Sequence, residues 1–140
     1  MAALWLASPG ARAQVTHFTE YTRAKLQWQR AAIHDYQFNF EQTCFCAREN
    51  SGAMRVTVRN DGVHHATWLN NGQPVSARML EQVPSIATIF QQIDAGYAKP
   101  ADAITLTLNR TDGYPERVFI DYYKMMADEE LQYTLSDFSH

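Results

Sequence analysis

Residues 54–69 read MRVTVRNDGVHHATWL, and this stretch decides how the rest of the sequence folds. Met54, Val56 and Val58 alternate with polar side chains, which is the period of a strand that buries one face. The NDG triplet at residues 60–62 supplies the positive φ of a tight turn, and VHHATWL then continues as a second strand. The stretch therefore predicts an antiparallel hairpin.

The residues before this hairpin supply a strand and a helix. Tyr36, Phe38 and Phe40 alternate with polar residues, so residues 36–40 predict a strand that completes a three-stranded meander. Upstream, residues 16–33 contain no Gly or Pro and place apolar residues at helical spacing. This segment predicts a helix with one apolar face.

After the hairpin, the sequence again shows a helical period followed by the two-residue alternation of strands. Pro84 suits a first helical turn, and apolar residues at helical spacing continue to Tyr97, which predicts a second amphipathic helix. We expect Gly96 and Pro100 to end it. Three further strands are predicted by ITLTLN at residues 104–109, RVFIDYY at residues 117–123 and ELQYTLSDF at residues 130–138.

The order of these elements, αβββαβββ, predicts the fold class. We expect an α+β fold in which an antiparallel sheet of about six strands carries two helices packed on one face, with the other face wholly or partly solvated. A chain of 140 residues, 46% of them hydrophobic, has the size of one globular domain. No linker divides it, so the prediction is a single domain over residues 14–140.

The first residues, MAALWLASPGARAQ, have a different character. An apolar patch, a Pro-Gly pair and an Ala-Arg-Ala site resemble the end of a secretory signal peptide. We therefore predict that residues 1–13 are the remnant of a signal, that the true start lies upstream and that the protein is periplasmic or secreted. The alternative is an ordinary N-terminus with a few apolar residues. No later segment has the roughly 18 apolar residues of a membrane span.

The charge balance limits the classes of partner that the protein is expected to bind. With 12 Lys and Arg against 15 Asp and Glu, the net charge is −3. Nucleic acids recruit proteins with a basic excess, because binding releases counterions from the phosphates. The sequence therefore predicts no nucleic-acid partner.

The two cysteines, Cys44 and Cys46, lie one residue apart in EQTCFCARE. If the strand of Phe38 and Phe40 continued without a bulge, both thiols would point to the core, because all four numbers are even. Two residues along a strand span about 6.6 Å, near the upper Cα separation of about 6.8 Å for a disulfide. Four interpretations stay open: a strained structural disulfide, buried reduced thiols, a working redox pair, and a ligand pair for a soft metal such as Cu(I).

Other chemistry finds little support in the sequence. There is no G-x-S-x-G, H-E-x-x-H or phosphate-binding glycine loop. His64 and His65 are adjacent, so a regular strand points them to opposite faces, one outward and one partly covered. We therefore predict no metal site, no cofactor and no catalytic residue other than the redox candidates Cys44 and Cys46, which favours a protein that is not an enzyme.

The YYKMM run is the best candidate for a binding surface. Tyr and Met that are exposed together make adaptable apolar contacts and are enriched in interfaces. The candidate binding residues are Tyr122, Tyr123, Met125 and Met126. The alternative is that alternate members of the run continue the strand into the core.

Several segments together resemble a known family. They are HDYQFNFEQTCFC at residues 34–46, VTVRNDG, IATIFQQI and GYPERVFIDYYKMMADEELQY, and they resemble the bacterial domain-of-unknown-function family 6174. The resemblance implies a small exported single domain, and some relatives look like lipoproteins. It supplies no activity, cofactor or catalytic residue. This chain lacks a lipid-accepting cysteine, so the resemblance does not extend to membrane anchoring.

Two functions of different class follow from these observations. The first is a non-catalytic binding or interaction module of the bacterial envelope, whose partner is an envelope protein or another exported component. The alternative is a thiol-disulfide redox protein that uses Cys44 and Cys46.

Overall fold

The computed structural model describes residues 9–43, 52–99, 101–122 and 130–140, with side chains from residue 17 onward. Its helices are α1 (Pro9–Ala31), α2 (Ala77–Leu80) and α3 (Ile86–Ala98). Its strands are β1 (Tyr36–Gln42), β2 (Ala53–Arg59), β3 (Gly62–Trp68), β4 (Ala103–Leu108), β5 (Pro115–Asp121) and β6 (Glu130–Ser139). The predicted order αβββαβββ is confirmed, with α2 as one added helical turn before α3.

The six strands form one antiparallel sheet in the order β3-β2-β1-β6-β5-β4. The first meander runs from the centre of the sheet outward to β3, and the second runs from the opposite edge, β4, back to the centre. The two meanders meet where β1 pairs with β6, for example at Phe40 and Leu135. The connection through α2 and α3 therefore crosses the sheet from one edge to the other.

One face of this sheet is apolar and carries the helices. Phe38, Val56 and Ile120 are fully buried in a single core cluster that also includes residues of α1 and α3. On the other face Gln37 and Asn39 lie next to Arg55 of the neighbouring strand. The predicted α+β fold, with both helices on one face, is confirmed.

Helix α1 buries Tyr21, Ala24 and Trp28, which share one face at helical spacing. The helix begins at Pro9, where a first helical position tolerates proline because its N–H would have no partner. It ends at Ala31, two residues before the predicted end, because Ala32 has a left-handed φ of 51°.

Helix α3 differs from its prediction at both ends. Ser85 is the N-cap, and its side chain accepts a hydrogen bond from the backbone N–H of Thr88, so Pro84 precedes the helix instead of lying in its first turn. Gly96 does not end the helix, which continues to Ala98. A Cβ at Gly96 would lie 3.3 Å from the side chain of Ile120, so this glycine lets α3 approach the sheet closely.

The prediction for His64 and His65 is wrong. Thr57 of β2 pairs with His65 of β3, but the next residue, Val58, pairs with Val63. His64 is therefore the extra residue of a β-bulge. Both histidines are exposed, and their ring centroids lie 5.5 Å apart. Two-residue alternation does not hold across a bulge, which is why the pair does not divide between the two faces. Among the described residues, no helix is long and apolar enough to cross a membrane.

Candidate functional site

A cleft of about 350 Å³ lies between α1 and α3, beside the turn that joins β2 to β3. Apolar side chains form its floor: Trp28, Ile33, Ala87 and Phe90, with Ala32. Longer polar side chains form its rim: Lys25, Gln29, His34, Asp61, Gln91 and Asp94. An apolar floor with a few polar groups around it is the usual composition of a ligand site.

One end of the cleft is fixed by Asp94 of α3. Its carboxylate accepts a hydrogen bond of 2.6 Å from the hydroxyl of Tyr21 and pairs at 2.6 Å with the ammonium of Lys25. The Tyr21 hydroxyl also lies 3.0 Å from the carbonyl oxygen of Phe90. Burial raises the pKa of Tyr21, and the hydrogen bond to Asp94 raises it further. Tyr21 therefore stays a neutral donor, and the ammonium of Lys25 is held at the cleft.

The opposite end is fixed by the β2–β3 turn. Asn60 and Asp61 both have positive φ, 51° and 65°, as a two-residue hairpin turn requires. The backbone N–H of Asp61 donates to the carbonyl of His34 at 2.9 Å, and that of Asn60 donates to the carboxylate of Asp35 at 2.7 Å. Nδ1 of His34 lies 2.8 Å from the Asp61 carboxylate. These contacts tie the turn to the segment between α1 and β1.

The floor is held from below by aromatic rings. The ring of Trp28 lies 5.4 Å from Tyr36, 6.2 Å from Tyr114 and 5.8 Å from Phe138, each in an edge-to-face arrangement that aromatic pairs favour. The hydroxyl of Tyr36 accepts a 2.8 Å hydrogen bond from the first backbone N–H of α3, at Ile86. The position of α3 is therefore tied to the same ring cluster that supports Trp28.

This arrangement can bind a ligand, and none of the described residues that line it is Ser, Thr or Cys, the residues with a hydroxyl or thiol nucleophile. Nδ1 of His34 faces Asp61, and its Nε2 has no hydrogen-bond partner among the described residues, so Nε2 is available to a ligand. Within the described ranges, no group of three or more His, Cys, Asp or Glu side chains could hold a metal ion. The cleft offers an apolar surface between two polar ends.

Of the residues predicted from sequence as sites, only Tyr122 lies in the described part of the chain, and it does not line the cleft. Cys44 and Cys46 lie outside the described residues, as do Tyr123, Met125 and Met126. Tyr122 is described, and it packs half-buried against the core. The roles proposed for these residues stay predictions.

Sequence reasoning missed Lys25 and Asp94, although the spacing contains a signal for both. Lys25 follows Tyr21 by four residues and precedes Trp28 by three, so it lies on the same helix face. Asp94 has the same relation to Phe90 and Tyr97 on α3. A charged residue within each apolar stripe indicates two helices that face each other through an ion pair.

The open face of the sheet carries a second polar cluster, centred on Arg55. Its guanidinium donates to the side chains of Asn39 at 3.0 Å and Ser139 at 3.1 Å, to Gln37 at 3.3 Å, and to the carbonyl of Asp137 at 2.6 Å. Four acceptors occupy most of the five donors of an arginine. Arg55 therefore joins β2, β1 and β6 and has little capacity left for a ligand.

Comparison with known proteins places the chain in a family. The family of unknown function DUF6174 matches residues 20–140, a range that includes all six strands and every residue that lines the cleft. Neither the curated proteins nor the solved structures gave a match. Because the match covers most of the sequence, the chain belongs to the family of unknown function DUF6174.

Proposed function

We propose that this protein is a non-catalytic binding module that takes an apolar side chain of a partner protein, with the polar backbone beside it, into the cleft between α1 and α3. The observation that carries the proposal is the pairing of an apolar floor at Trp28 and Phe90 with fixed polar groups at both ends. The volume, about 350 Å³, lies at the small end of ligand pockets and suits one or two side chains.

The two ends of the cleft give this binding its polar contacts. Lys25 uses one hydrogen bond on Asp94, and an ammonium has three donors, so it can donate to a peptide carbonyl of the partner. At the other end Asp61 binds His34 through Oδ2, and Oδ1 can accept a peptide N–H. Donor and acceptor at opposite ends of an apolar floor match a peptide unit that flanks a buried side chain.

The rigidity of the site supports affinity. The backbone N–H groups of the β2–β3 turn donate to the carbonyl of His34 and to the carboxylate of Asp35, and Trp28 is held by three neighbouring rings. A site that is already ordered loses less side-chain entropy when a ligand binds.

The setting that we propose for this binding is the bacterial envelope. Its support is the sequence of residues 1–13, with an apolar patch followed by a small-residue cleavage site. We expect the exported protein to begin at Gln14. Sequencing of the N-terminus tests this, and an exported chain that retains Met1 would contradict it.

The redox alternative has its support in the Cys44-Phe45-Cys46 spacing alone. Its test is exchange with a model dithiol, compared between the native chain and a Cys44→Ala/Cys46→Ala variant that keeps its far-ultraviolet circular dichroism. Exchange that the double variant loses supports a redox protein, whereas no exchange by the native chain rejects it.

The cleft is tested with N-acetyl-tryptophanamide and N-acetyl-phenylalaninamide as probes, followed by amide chemical shifts. We expect a dissociation constant on the order of 1 mM, because small ligands gain only a few tenths of a kcal/mol per atom. The shifts should be confined to the cleft, at residues such as Trp28, His34 and Gln91.

The matched variants are Ala87→Trp, which fills the cleft from α3, and Ala95→Trp, which adds the same ring at an exposed position of the same helix. We expect Ala87→Trp to abolish the probe shifts and Ala95→Trp to leave them unchanged. Shifts that survive Ala87→Trp, or that are absent from the cleft at saturating probe, would overturn the proposal.

A further inference from the structure

We infer that β4 is a pairing edge through which two copies of this chain join their sheets, β4 against β4 and antiparallel. This inference is independent of the binding proposed for the cleft, because β4 lies at the edge of the sheet and none of its residues lines the cleft. It concerns an interaction surface whose partner is a second copy of the protein.

The two edge strands of the sheet, β3 and β4, differ in how far other described residues cover them. At β3, Pro74 bridges to Thr67, the N–H of Trp68 donates to Gln73, and the N–H of Val75 donates to Ala66, so residues 73–75 cover part of that edge. The bulge at His64 disturbs it further. Along β4, by contrast, the described residues supply no such covering segment, and the backbone bonds outside the ladder lie beyond its ends, at Ala101 and Asn109.

The sequence of β4 also lacks the features that protect an edge. AITLTL contains no charged residue and no proline, the residues that natural sheets place on edges to prevent pairing with another chain. Its register with β5 is regular from Ala103 to Thr107 and shifts only before Leu108. Five residues in regular register give a straight edge, whose outward backbone donors and acceptors have no partner among the described residues.

A second copy is the occupant that this strand fits best. With a two-fold axis at Leu106, Ile104 lies opposite Leu108 of the second copy, and Thr105 lies opposite Thr107. Aliphatic residues then face aliphatic residues on the core side, and threonine pairs with threonine on the open side, a favourable cross-strand pair. No like charges oppose each other within the strand.

The surroundings of the edge support the same partner. Ile104, Leu106 and Leu108 are only half-buried in one copy, although they pack against the core. Two exposed large hydrophobic side chains, Phe18 and Leu26, lie on α1, the helix that contacts β4. A two-fold axis perpendicular to the sheet places both apolar faces on the same side, so pairing extends one core into the next and removes apolar area from water.

The test is the solution mass of the full chain by light scattering over a range of concentrations. We expect a dimer of about twice the 16.0 kDa of one chain. Thr105→Lys places a charge on the edge opposite Thr107 of the second copy and makes the two lysines diagonal neighbours across the axis, so it should weaken dimerisation by about tenfold or more. Thr105→Glu should do the same, and an equimolar mixture of the two variants should restore the dimer.

The control is Gln132→Lys, which adds the same charge to an exposed position on the same face but on the central strand β6. It should leave the dimer unchanged, and circular dichroism should show that all variants are folded. A native chain that is monomeric at every concentration would overturn the inference. So would a dimer that Thr105→Lys does not weaken, or a mixture of the Lys and Glu variants that stays monomeric.

Discussion

Gly113 lies in the turn between β4 and β5, where the backbone has a φ of +84° and passes against α1. A Cβ there would collide with the carbonyl oxygen of Ala24 and lie 3.1 Å from the backbone nitrogen of Trp28. Gly113→Ala should therefore lower the free energy of unfolding by about 2–5 kcal/mol, since it adds backbone strain to a collision with a helix that cannot yield. Urea denaturation measures the loss.

Gly72→Ala is the matched control. Gly72 also has a positive φ, +72°, but a Cβ there would meet nothing within 4 Å. Its cost should be about 1 kcal/mol, from backbone strain alone. Equal losses in the two variants would show that α1 does not approach the turn as closely as the structure indicates.

The buried tyrosines predict a loss of stability at alkaline pH. Burial raises the pKa of five of them above the ordinary value: Tyr21, Tyr36, Tyr97, Tyr114 and Tyr133. In the unfolded chain tyrosine loses its proton near pH 10, while the folded chain still holds it. The stabilisation is therefore complete below about pH 10 and is lost as the pH rises above it. Urea midpoints should stay level from pH 8 to about pH 9.5 and should fall from there to pH 11.

Tyr97→Phe separates this effect from other alkaline changes. The Tyr97 hydroxyl is buried and has no hydrogen-bond partner among the described residues, so its removal should cost little at pH 7. The variant should lose less stability than the native chain between pH 10 and pH 11. An identical alkaline decline in both proteins would contradict the assignment of the loss to buried tyrosines.

At the scale of single residues, the sequence predicted the core better than the site. Phe38, Val56 and Val58 were predicted on the buried face and are buried there. Asp94 and Lys25 were not predicted as site residues, because each is a lone charged residue within a stripe that is otherwise apolar. The spacing places each of them on the apolar face of its helix, but their pairing depends on the approach of the two helices, which is a tertiary contact.

Among the elements, α3 depends on a buried cap. Ser85 is 5% exposed and accepts the N–H of Thr88 at 3.2 Å. Ser85→Ala should lower the free energy of unfolding by about 1–2 kcal/mol, because the N–H of Thr88 loses an acceptor that is buried in the native chain. Denaturation in urea at pH 7 measures the change.

Ser76→Ala provides the comparison within the same chain. Ser76 caps α2 with the same geometry, an acceptor for the N–H of Met79 at 3.2 Å, but it is exposed and α2 has four residues. Water can replace this cap, so the loss should stay below about 0.5 kcal/mol. A loss as large as that of Ser85→Ala would show that burial does not decide the strength of these caps.

The elements themselves were predicted more fully than their ends. All six strands lie within two residues of the predicted positions, because alternation is a local signal. The short helix α2 was not predicted, since four residues carry no helical period. The local preferences of proline and glycine predicted that Pro84 begins this helix and that Gly96 ends it. The cap at Ser85 and the contact of α3 with Ile120 decide its ends instead.

For the whole molecule, the order of strands could not be predicted. The seam between β1 and β6 pairs residues far apart in sequence, such as Asn39 with Ser136, and nothing local encodes that pairing. The two αβββ halves also do not form a two-fold repeat. Such a repeat would place the first strand of each half at the centre of the sheet, whereas β1 is central and β4 is at the edge.

In this topology, the pairing of β1 with β6 is what joins the two meanders into one sheet. Leu135 of β6 is 3% exposed and lies opposite Phe40 of β1, at the only pairing between the two meanders in the described sheet. Leu135→Ala should lower the free energy of unfolding by about 2–5 kcal/mol through lost burial and a residual cavity. Because neither meander has another partner, amide hydrogen exchange should accelerate by the same factor in β2 and in β5.

Leu80→Ala makes the same truncation outside the sheet. Leu80 lies half-buried on α2 and packs only against the margin of the core, so its loss should be about 1 kcal/mol and should not reach β5. If Leu135→Ala accelerated exchange in β5 and left β2 unchanged, the two meanders would be separate units of stability. Equal acceleration in both requires that they unfold together, since only global opening exposes strands on the two sides of the seam at one rate.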